Sequence, residues 1–226
     1  MLVYTFIPTL FGQFILTGSS VPPVLDDSMH TGTGRIVRMK MRPMSLFESK
    51  DSAGSVSLKD LFLGHDISAV DNHDIDDITY FICRGGWPLA INASKKVALK
   101  QAFDYYDSIV NDDISRVDGI KRDSERTKRL MKSYARNVAT QSSLETIRED
   151  CVVNDTDTFD KETLYSYIGA LKKTFVIEDS PAWNPNLRSK TAIRTADTRY
   201  FVDPSIATAA LGLGPKALKK NCGKKL

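Results

Sequence analysis

The first half of the chain carries hydrophobic side chains at helical spacing. Residues 74–83 place apolar side chains three and four positions apart, and Gly85-Gly86 follows as a stop signal. The same spacing recurs over residues 94–111, and a serine at an N-cap position opens a brief helix over residues 57–62. We therefore predict a helical region without strands for residues 49–123.

The second half predicts three helices followed by short strands. The helices cover residues 126–139, a segment that begins at Ser142 or Ser143, and residues 161–173 after an N-cap at Asp160. Strand-like runs follow at residues 175–177, 191–193 and 199–202. This order is that of a winged helix-turn-helix. It predicts a winged-helix-like α+β domain over residues 124–215, with a basic tail over residues 216–226.

The N-terminal segment differs from both of these regions. Gln13-Phe14-Ile15-Leu16 is an apolar run that ends at a polar turn, the pattern of a buried parallel strand. Arg35 to Met41 alternates basic and apolar side chains and predicts a second strand. We therefore expect residues 1–48 to form one edge of an α/β domain.

Composition narrows the class of protein. Of the 226 residues, 42% are hydrophobic and 26% are charged, the balance of a soluble globular protein. Three cysteines without a C-x-x-C pair argue against a disulfide framework and a zinc site, so we expect no metal. No run reaches the roughly 20 apolar residues that a bilayer requires. These features predict a cytoplasmic protein without a membrane partner.

Charge is distributed unevenly along the chain, although the net charge is only +3. Basic residues outnumber acidic ones from Arg116 to Arg136, and residues 60–77 are acidic. The pattern is compatible with one basic face, as in a nucleic-acid-binding protein, or with a solvated surface of mixed sign.

Several motifs, taken in order, resemble one prokaryotic protein family. They are Phe-Ile-Leu-Thr-Gly-Ser-Ser at 14–20, Gly-Arg-Ile at 34–36, Met-Arg-Pro-Met-Ser-Leu-Phe-Glu at 41–48, Cys-Arg-Gly-Gly-Trp-Pro at 83–88 and Tyr-Phe-Val-Asp-Pro at 200–204. The family is the AAA-type ATP-binding proteins with a C-terminal domain of unknown function. The resemblance implies the α/β edge of an AAA-type ATPase domain, then an α-helical lid, then the winged helix-turn-helix-like α+β domain.

The chain lacks the parts that would make such a protein an ATPase. The phosphate-binding motif G-x-x-x-x-G-K-[ST], whose backbone N–H groups cradle the phosphates, does not occur. ATP and magnesium are implied for a complete family member, whereas we expect neither cofactor in this chain. The resemblance thus predicts a truncated, frame-disrupted or degenerate member that is inactive alone.

The resemblance also suggests four nucleotide-sensing residues. Thr17 and Ser19 would end the sensor strand and hydrogen-bond the attacking water or the terminal phosphate, or they form only a tight turn. Arg35 would supply positive charge to the phosphates, or is a surface arginine at the start of a strand. Arg84 would act as a second sensor arginine, or the segment around it serves packing and a helix stop.

The winged region supplies a second set of candidate residues, for nucleic acid. Its basic and aromatic side chains predict weak, non-specific contacts with DNA phosphates. They are Lys161, Tyr165, Lys172 and Lys173 on the third helix and Arg188, Lys190 and Arg194 on the hairpin. The alternative is that this region only packs against a protein partner or another subunit. The function predicted is accordingly a fragment with a DNA- or protein-binding module, or else a non-enzymatic protein interaction module.

Overall fold

Aspartate and serine side chains begin most of the helices. The Asp74 carboxylate accepts hydrogen bonds from the backbone N–H groups of Asp76 and Asp77, and the Asp77 carboxylate accepts one from the Asp74 N–H, which completes a capping box. Side chains of Ser57, Asp123, Ser143, Asp160 and Asp203 cap five further helices in the same way. Each cap satisfies backbone donors that the first turn leaves without a partner.

The computed structural model describes residues 15, 39–152, 159–183 and 196–222. Its helices are α1 (Leu58–Phe62), α2 (Ile75–Arg84), α3 (Pro88–Ile91), α4 (Lys95–Ser108), a π-helical turn (Ile109–Asp113), α5 (Ile114–Arg116), α6 (Ser124–Arg136), α7 (Leu144–Cys151), α8 (Lys161–Lys173), α9 (Pro204–Ala210) and α10 (Pro215–Cys222). Strands are absent from these ranges.

Helix α9 lies at the centre of the packing. Every residue from Ser205 to Ala210 is buried, and the helix contacts α2, α4 and α6. Its small side chains favour close approach, because the distance between helix axes depends on the side chains at the contact. Around it a continuous hydrophobic core includes Ile109, Leu130, Tyr134 and Leu171. The core therefore draws on helices from both halves of the chain.

Two motifs that lie far apart in the sequence meet beside α9. The buried Asp203 carboxylate accepts hydrogen bonds from the backbone N–H of Gly86 at 2.8 Å and from the Ser205 N–H at 2.8 Å. Trp87 Nε1 donates to Ser205 Oγ at 2.9 Å. Gly85 has a φ of +73°, and a Cβ there would lie 2.4 Å from the Asp203 carboxylate. The motif around Gly85 and the one around Asp203 therefore form one buried polar junction.

A segment that precedes the helices, residues 39–52, runs along this body, and we call it the strap. The backbone N–H of Met44 donates to the Gly86 carbonyl at 2.8 Å. Asp51 pairs with the buried Arg84 at 2.7 Å. Residues 39–44 have no regular secondary structure, and residues 46–50 form turns. The predicted strand from Arg35 to Met41 is therefore not present over residues 39–41, the part that the structure describes.

The predicted fold class is wrong. The described residues are helical, so they form neither the edge of an α/β ATPase domain nor an α+β winged helix. Residues 175–177 and 199–202, expected to be strands, pair only through the isolated bridges Ile177–Phe201 and Ser180–Thr198. Two isolated bridges do not make a sheet, and helix α9 begins at Pro204, directly after the second of the two segments. The predicted strands at residues 13–16 and 191–193 are not tested, because only Ile15 of these residues is described.

Several local predictions are confirmed. Helix α8 begins after its Asp160 cap and spans residues 161–173 as expected. Ser57 caps α1, Ser143 caps α7, and Gly85 ends α2. The helix predicted over residues 94–111 runs as α4 to Ser108 and continues into the π-helical turn.

Candidate functional site

Helix α1 is defined by local hydrogen bonds at both ends. Ser57 Oγ accepts a hydrogen bond from the Asp60 N–H at 3.3 Å. At the other end Gly64 adopts a φ of +73°, and the His65 N–H donates to the Asp60 carbonyl at 3.0 Å. The five-residue helix of the sequence prediction is therefore present.

The hydrophobic side chains of α1 face solvent. The helix has no buried residue, and Leu58, Leu61 and Phe62 are 69%, 51% and 85% exposed. These three positions have the i, i+3, i+4 spacing that puts side chains on one helix face. We call them the α1 apolar face. Isolated helices this short are unstable in water, so an exposed apolar face indicates a surface that gains from burial.

Further exposed hydrophobic side chains lie shortly before and directly after α1 in the sequence. Leu63, directly after the helix, is 60% exposed, and Val56, just before it, is 50% exposed. Phe47 is 64% exposed, and its ring packs on the backbone of Gly54, where a Cβ would come within 2.6 Å of the ring. Gly54 has a φ of +64°, so a glycine suits both the turn and the contact. The α1 apolar face is thus part of a longer apolar stretch.

Acidic side chains flank the α1 apolar face. Residues 58–77 contain one lysine and six aspartates, a net charge of −5 with the histidines neutral. The backbone hydrogen bond from His73 holds the pKa of Asp71 below its usual range. Backbone hydrogen bonds from Asp77 and Asp76 do the same for the pKa of Asp74. These carboxylates stay ionised at neutral pH, so the segment that contains and follows α1 in the sequence is negative, and we call it the acidic border.

The predicted sensor residues are not brought together among the described residues. Thr17, Ser19 and Arg35 lie outside the described residues. Arg84 lies at the end of α2 and is 4% exposed. Its Nη2 atom pairs with Asp51, its Nε donates to the Gly85 carbonyl at 3.1 Å, and its guanidinium lies over the ring of Phe81.

The Arg84–Asp51 pair is an internal contact that holds the strap. Burial pushes the pKa of Asp51 up, but hydrogen bonds from Arg84 and Ser49 outweigh burial and leave the pKa below its usual range. The ionised carboxylate then stabilises the guanidinium inside the protein. The sensor role of Arg84 remains a prediction.

The described part of the nucleic-acid set lies on the outer face of α8. Lys161, Tyr165, Lys172 and Lys173 are all exposed, opposite the core residues of the same helix. Lys161 Nζ lies 3.6 Å from Glu145, and Lys172 Nζ lies 3.2 Å from Asp179. Two of the three lysines therefore already have acidic neighbours. Arg188, Lys190 and Arg194 lie outside the described residues.

Asp179 has a buried carboxylate that joins distant parts of the fold, and no sequence pattern indicated it. Asp179 accepts hydrogen bonds from Tyr134 Oη and, at 2.9 Å, from Arg199 Nη1. Burial pushes the pKa of Asp179 up, but hydrogen bonds from Tyr134 and Lys172 outweigh burial and leave it lowered. Burial and the Asp179 charge raise the pKa of Tyr134. No local sequence signal marks this cluster, because its members are up to 65 positions apart.

The described residues include neither a membrane-spanning helix nor a metal-binding cluster. None of the helices in the described ranges combines the length and apolar character that crossing a bilayer requires. Within the same ranges, no three side chains of His, Cys, Asp or Glu are grouped so that they could hold a metal ion.

Comparison with known proteins gives one family match. The family model described as a domain of unknown function, DUF8612, matches residues 75–217. No curated protein and no solved structure matches. The resemblance to AAA-type ATP-binding proteins is therefore wrong: the matching family model is a different one, and the described residues form helices and no strands.

Proposed function

The chain belongs to the DUF8612 family, and we propose that it is a non-enzymatic protein-interaction module that docks a partner through the α1 apolar face. The observation that carries this proposal is the exposure of Leu58, Leu61 and Phe62 on a capped helix that has no buried residue. Peptide helices that dock in grooves use this spacing of anchors. The family match begins at residue 75, so α1 precedes the matched region.

Burial of the apolar face supplies part of the free energy that a transient complex requires. Fully burying a leucine or phenylalanine side chain contributes about 1.5–3 kcal/mol. With the exposures of Leu58, Leu61 and Phe62, complete burial of the face contributes roughly 3–6 kcal/mol. Association itself costs roughly 4–15 kcal/mol, so neighbouring contacts must add to the face. Val56 and Leu63 provide such contacts.

The acidic border defines the chemistry of the partner. A net charge of −5 over residues 58–77 favours an apolar groove that is rimmed by lysine or arginine. Such charges speed association and select among partners more than they add affinity. The partner is therefore a protein with a basic rim around an apolar groove.

Affinity capture with matched variants tests the proposal. Phe62→Asp removes an anchor and adds a charge to the α1 apolar face. Leu89→Asp makes the same kind of change on α3, where Leu89 is 82% exposed. We expect the partner recovered with the wild-type chain to be lost at least tenfold with Phe62→Asp and kept with Leu89→Asp. Equal recovery with both variants would contradict the role of α1.

A second candidate function is weak, non-specific DNA binding by the exposed face of α8. The observation that favours it is the exposure of Lys161, Tyr165, Lys172 and Lys173 on one helix. Basic contacts of this kind bind at about 10⁻⁴–10⁻⁶ M at physiological salt, and the affinity falls as salt rises. Titration of the chain with random duplex DNA at two salt concentrations tests it. Absence of binding at low salt would eliminate this function.

A further inference from the structure

The strap places two basic side chains against one carboxylate on the body of the protein. Arg42 forms two hydrogen bonds with Glu178, from Nη2 to Oε1 at 2.6 Å and from Nε to Oε2 at 2.9 Å. Lys40 Nζ lies 3.0 Å from the same carboxylate and 5.0 Å from the centre of the Phe175 ring. A bidentate arginine and a cation over an aromatic ring are both specific recognition geometries.

A groove accompanies these contacts. Its volume is about 310 Å³, and its walls include Lys40, Phe175, Glu178 and Pro181. Phe175 has a φ of +57°, a conformation that bulky side chains rarely adopt. This left-handed conformation closes the C-terminus of helix α8 and fixes the position of the Phe175 ring. The hydrogen bonds from Arg42, together with Lys40, hold the pKa of Glu178 below its usual range, so the carboxylate is charged at neutral pH.

Gly86 gives a second, independent indication that the body is shaped for the strap. A Cβ at Gly86 would lie 2.0 Å from the Met44 carbonyl oxygen, so no larger residue allows the strap to approach. No positive φ is involved at Gly86, in contrast to Gly85. The requirement for glycine at this position therefore comes from the strap itself.

The strap precedes the region that the family model matches, whereas the residues that it contacts lie inside that region. Gly86, Phe175 and Glu178 lie within the matched residues 75–217, whereas residues 39–52 precede them. The strap thus contacts the matched region from a segment outside it, as a ligand would, with Lys40 and Arg42 two positions apart.

We propose that Gly86, Phe175 and Glu178 form a binding site for a basic peptide with Lys-x-Arg spacing, which residues 40–44 of the same chain occupy. Phe175 and Glu178 bind the lysine, Glu178 holds the arginine fork, and the Gly86 carbonyl accepts the backbone N–H two positions after the arginine. The site binds a peptide of the same chemistry in trans when the strap is released. This inference is independent of the docking role of α1.

A peptide-binding experiment on the full chain tests the proposal. The triple variant Lys40→Ala, Arg42→Ala, Asp51→Asn removes the side-chain anchors of the strap and vacates the site. A fluorescent peptide with the sequence of residues 39–52 is then titrated against this variant and against the wild-type chain. We expect the vacated chain to bind at least about tenfold more tightly than the wild-type chain, in which the strap competes.

Two controls keep the result interpretable. Adding Glu178→Gln to the vacated chain should weaken peptide binding at least about tenfold, and a peptide with alanine at both basic positions should not bind. Equal binding with and without Glu178→Gln, or no binding to a vacated chain that melts like the wild type, would overturn the proposal. If the vacated chain does not fold, amide exchange at Met44 decides: faster exchange in Glu178→Gln supports the site, and unchanged exchange refutes it.

Discussion

The replacement Gly86→Ala tests the junction between the strap and the body. The new Cβ would lie 2.0 Å from the Met44 carbonyl oxygen, well inside van der Waals contact, so the strap must move away. The hydrogen bond from the Gly86 N–H to Asp203 uses only backbone atoms of residue 86 and is retained. We therefore expect the strap to detach near Met44 while the helical core stays folded.

The expected decrease in the free energy of unfolding follows from the contacts that the strap loses. The hydrogen bond from the Met44 N–H to the Gly86 carbonyl contributes about 0.5–1.5 kcal/mol. The pairs of Lys40 and Arg42 with Glu178 are partly exposed to solvent, so their loss adds less to the change in stability. The free energy of unfolding should therefore fall by about 1–2 kcal/mol in Gly86→Ala.

Gly169→Ala is the matched control. Gly169 lies within α8, and a Cβ there would have nothing within 4 Å. Alanine in a helix interior is favoured over glycine by about 0.5–1 kcal/mol, so this variant should be more stable than the wild type. Urea unfolding gives both values, and amide exchange at Met44 should accelerate only in Gly86→Ala. Unchanged stability and unchanged Met44 exchange in Gly86→Ala would refute the steric argument.

Three further predictions concern the Asp179 carboxylate and the Ser57 cap of α1. Asp179→Asn leaves the buried Arg199 without its carboxylate and should lower the free energy of unfolding by about 3 kcal/mol. The exposed Asp104→Asn should cost less than about 0.5 kcal/mol, and urea unfolding measures both values. Because the pKa of Asp179 is lowered in the folded protein, the ionised carboxylate stabilises the fold fully above the ordinary carboxyl pKa near 4. This stabilisation is lost as the pH falls through the pKa of Asp179 in the folded protein, and acid unfolding should show the loss in the wild type and not in Asp179→Asn. Ser57→Ala removes the cap of α1, at a cost of about 1 kcal/mol to that helix, and amide exchange at Leu61 should report it.

The absence of a phosphate-binding loop from the sequence gives one prediction about cofactors. We expect the purified chain to release no phosphate from ATP above a control without protein, with or without magnesium. Phosphate release that depends on magnesium and on the protein would contradict the non-enzymatic function.

Helix ends could be predicted where the capping chemistry is local. Asp160 and Ser57 each stand one position before the first helical residue, and both cap a helix as expected. Helix α9 was missed because Ser205 to Ala210 are all buried and the segment has no polar face to mark a period. Its Asp203 cap and Pro204 at the first helical position were the available signals.

The errors about strands have a related cause. Residues 175–177 and 199–202 are short β-branched and aromatic runs, and such runs do not distinguish a sheet from two bridged extended segments. The basic tail predicted over residues 216–226 begins within helix α10, which starts at Pro215 because proline is favoured in the first turn of a helix.

The candidate sites depend on tertiary structure that no local pattern encodes. The sequence predicted the helix over residues 57–62, but only the structure shows that its Leu61 and Phe62 are left uncovered. Similarly, Arg42 and Glu178 are 136 positions apart, so their pairing follows from the packing of the helices and not from spacing.

Site-specific photo-crosslinking tests the docking role of α1 most directly. A photoreactive amino acid replaces Phe62 on the α1 apolar face or, as the control, the equally accessible Leu89 on α3. We expect a discrete covalent adduct with one partner protein from position 62, its loss when Leu58→Asp is added, and no such adduct from position 89. The same adducts from both positions, or an adduct from position 62 that persists with Leu58→Asp, would refute the docking role of α1.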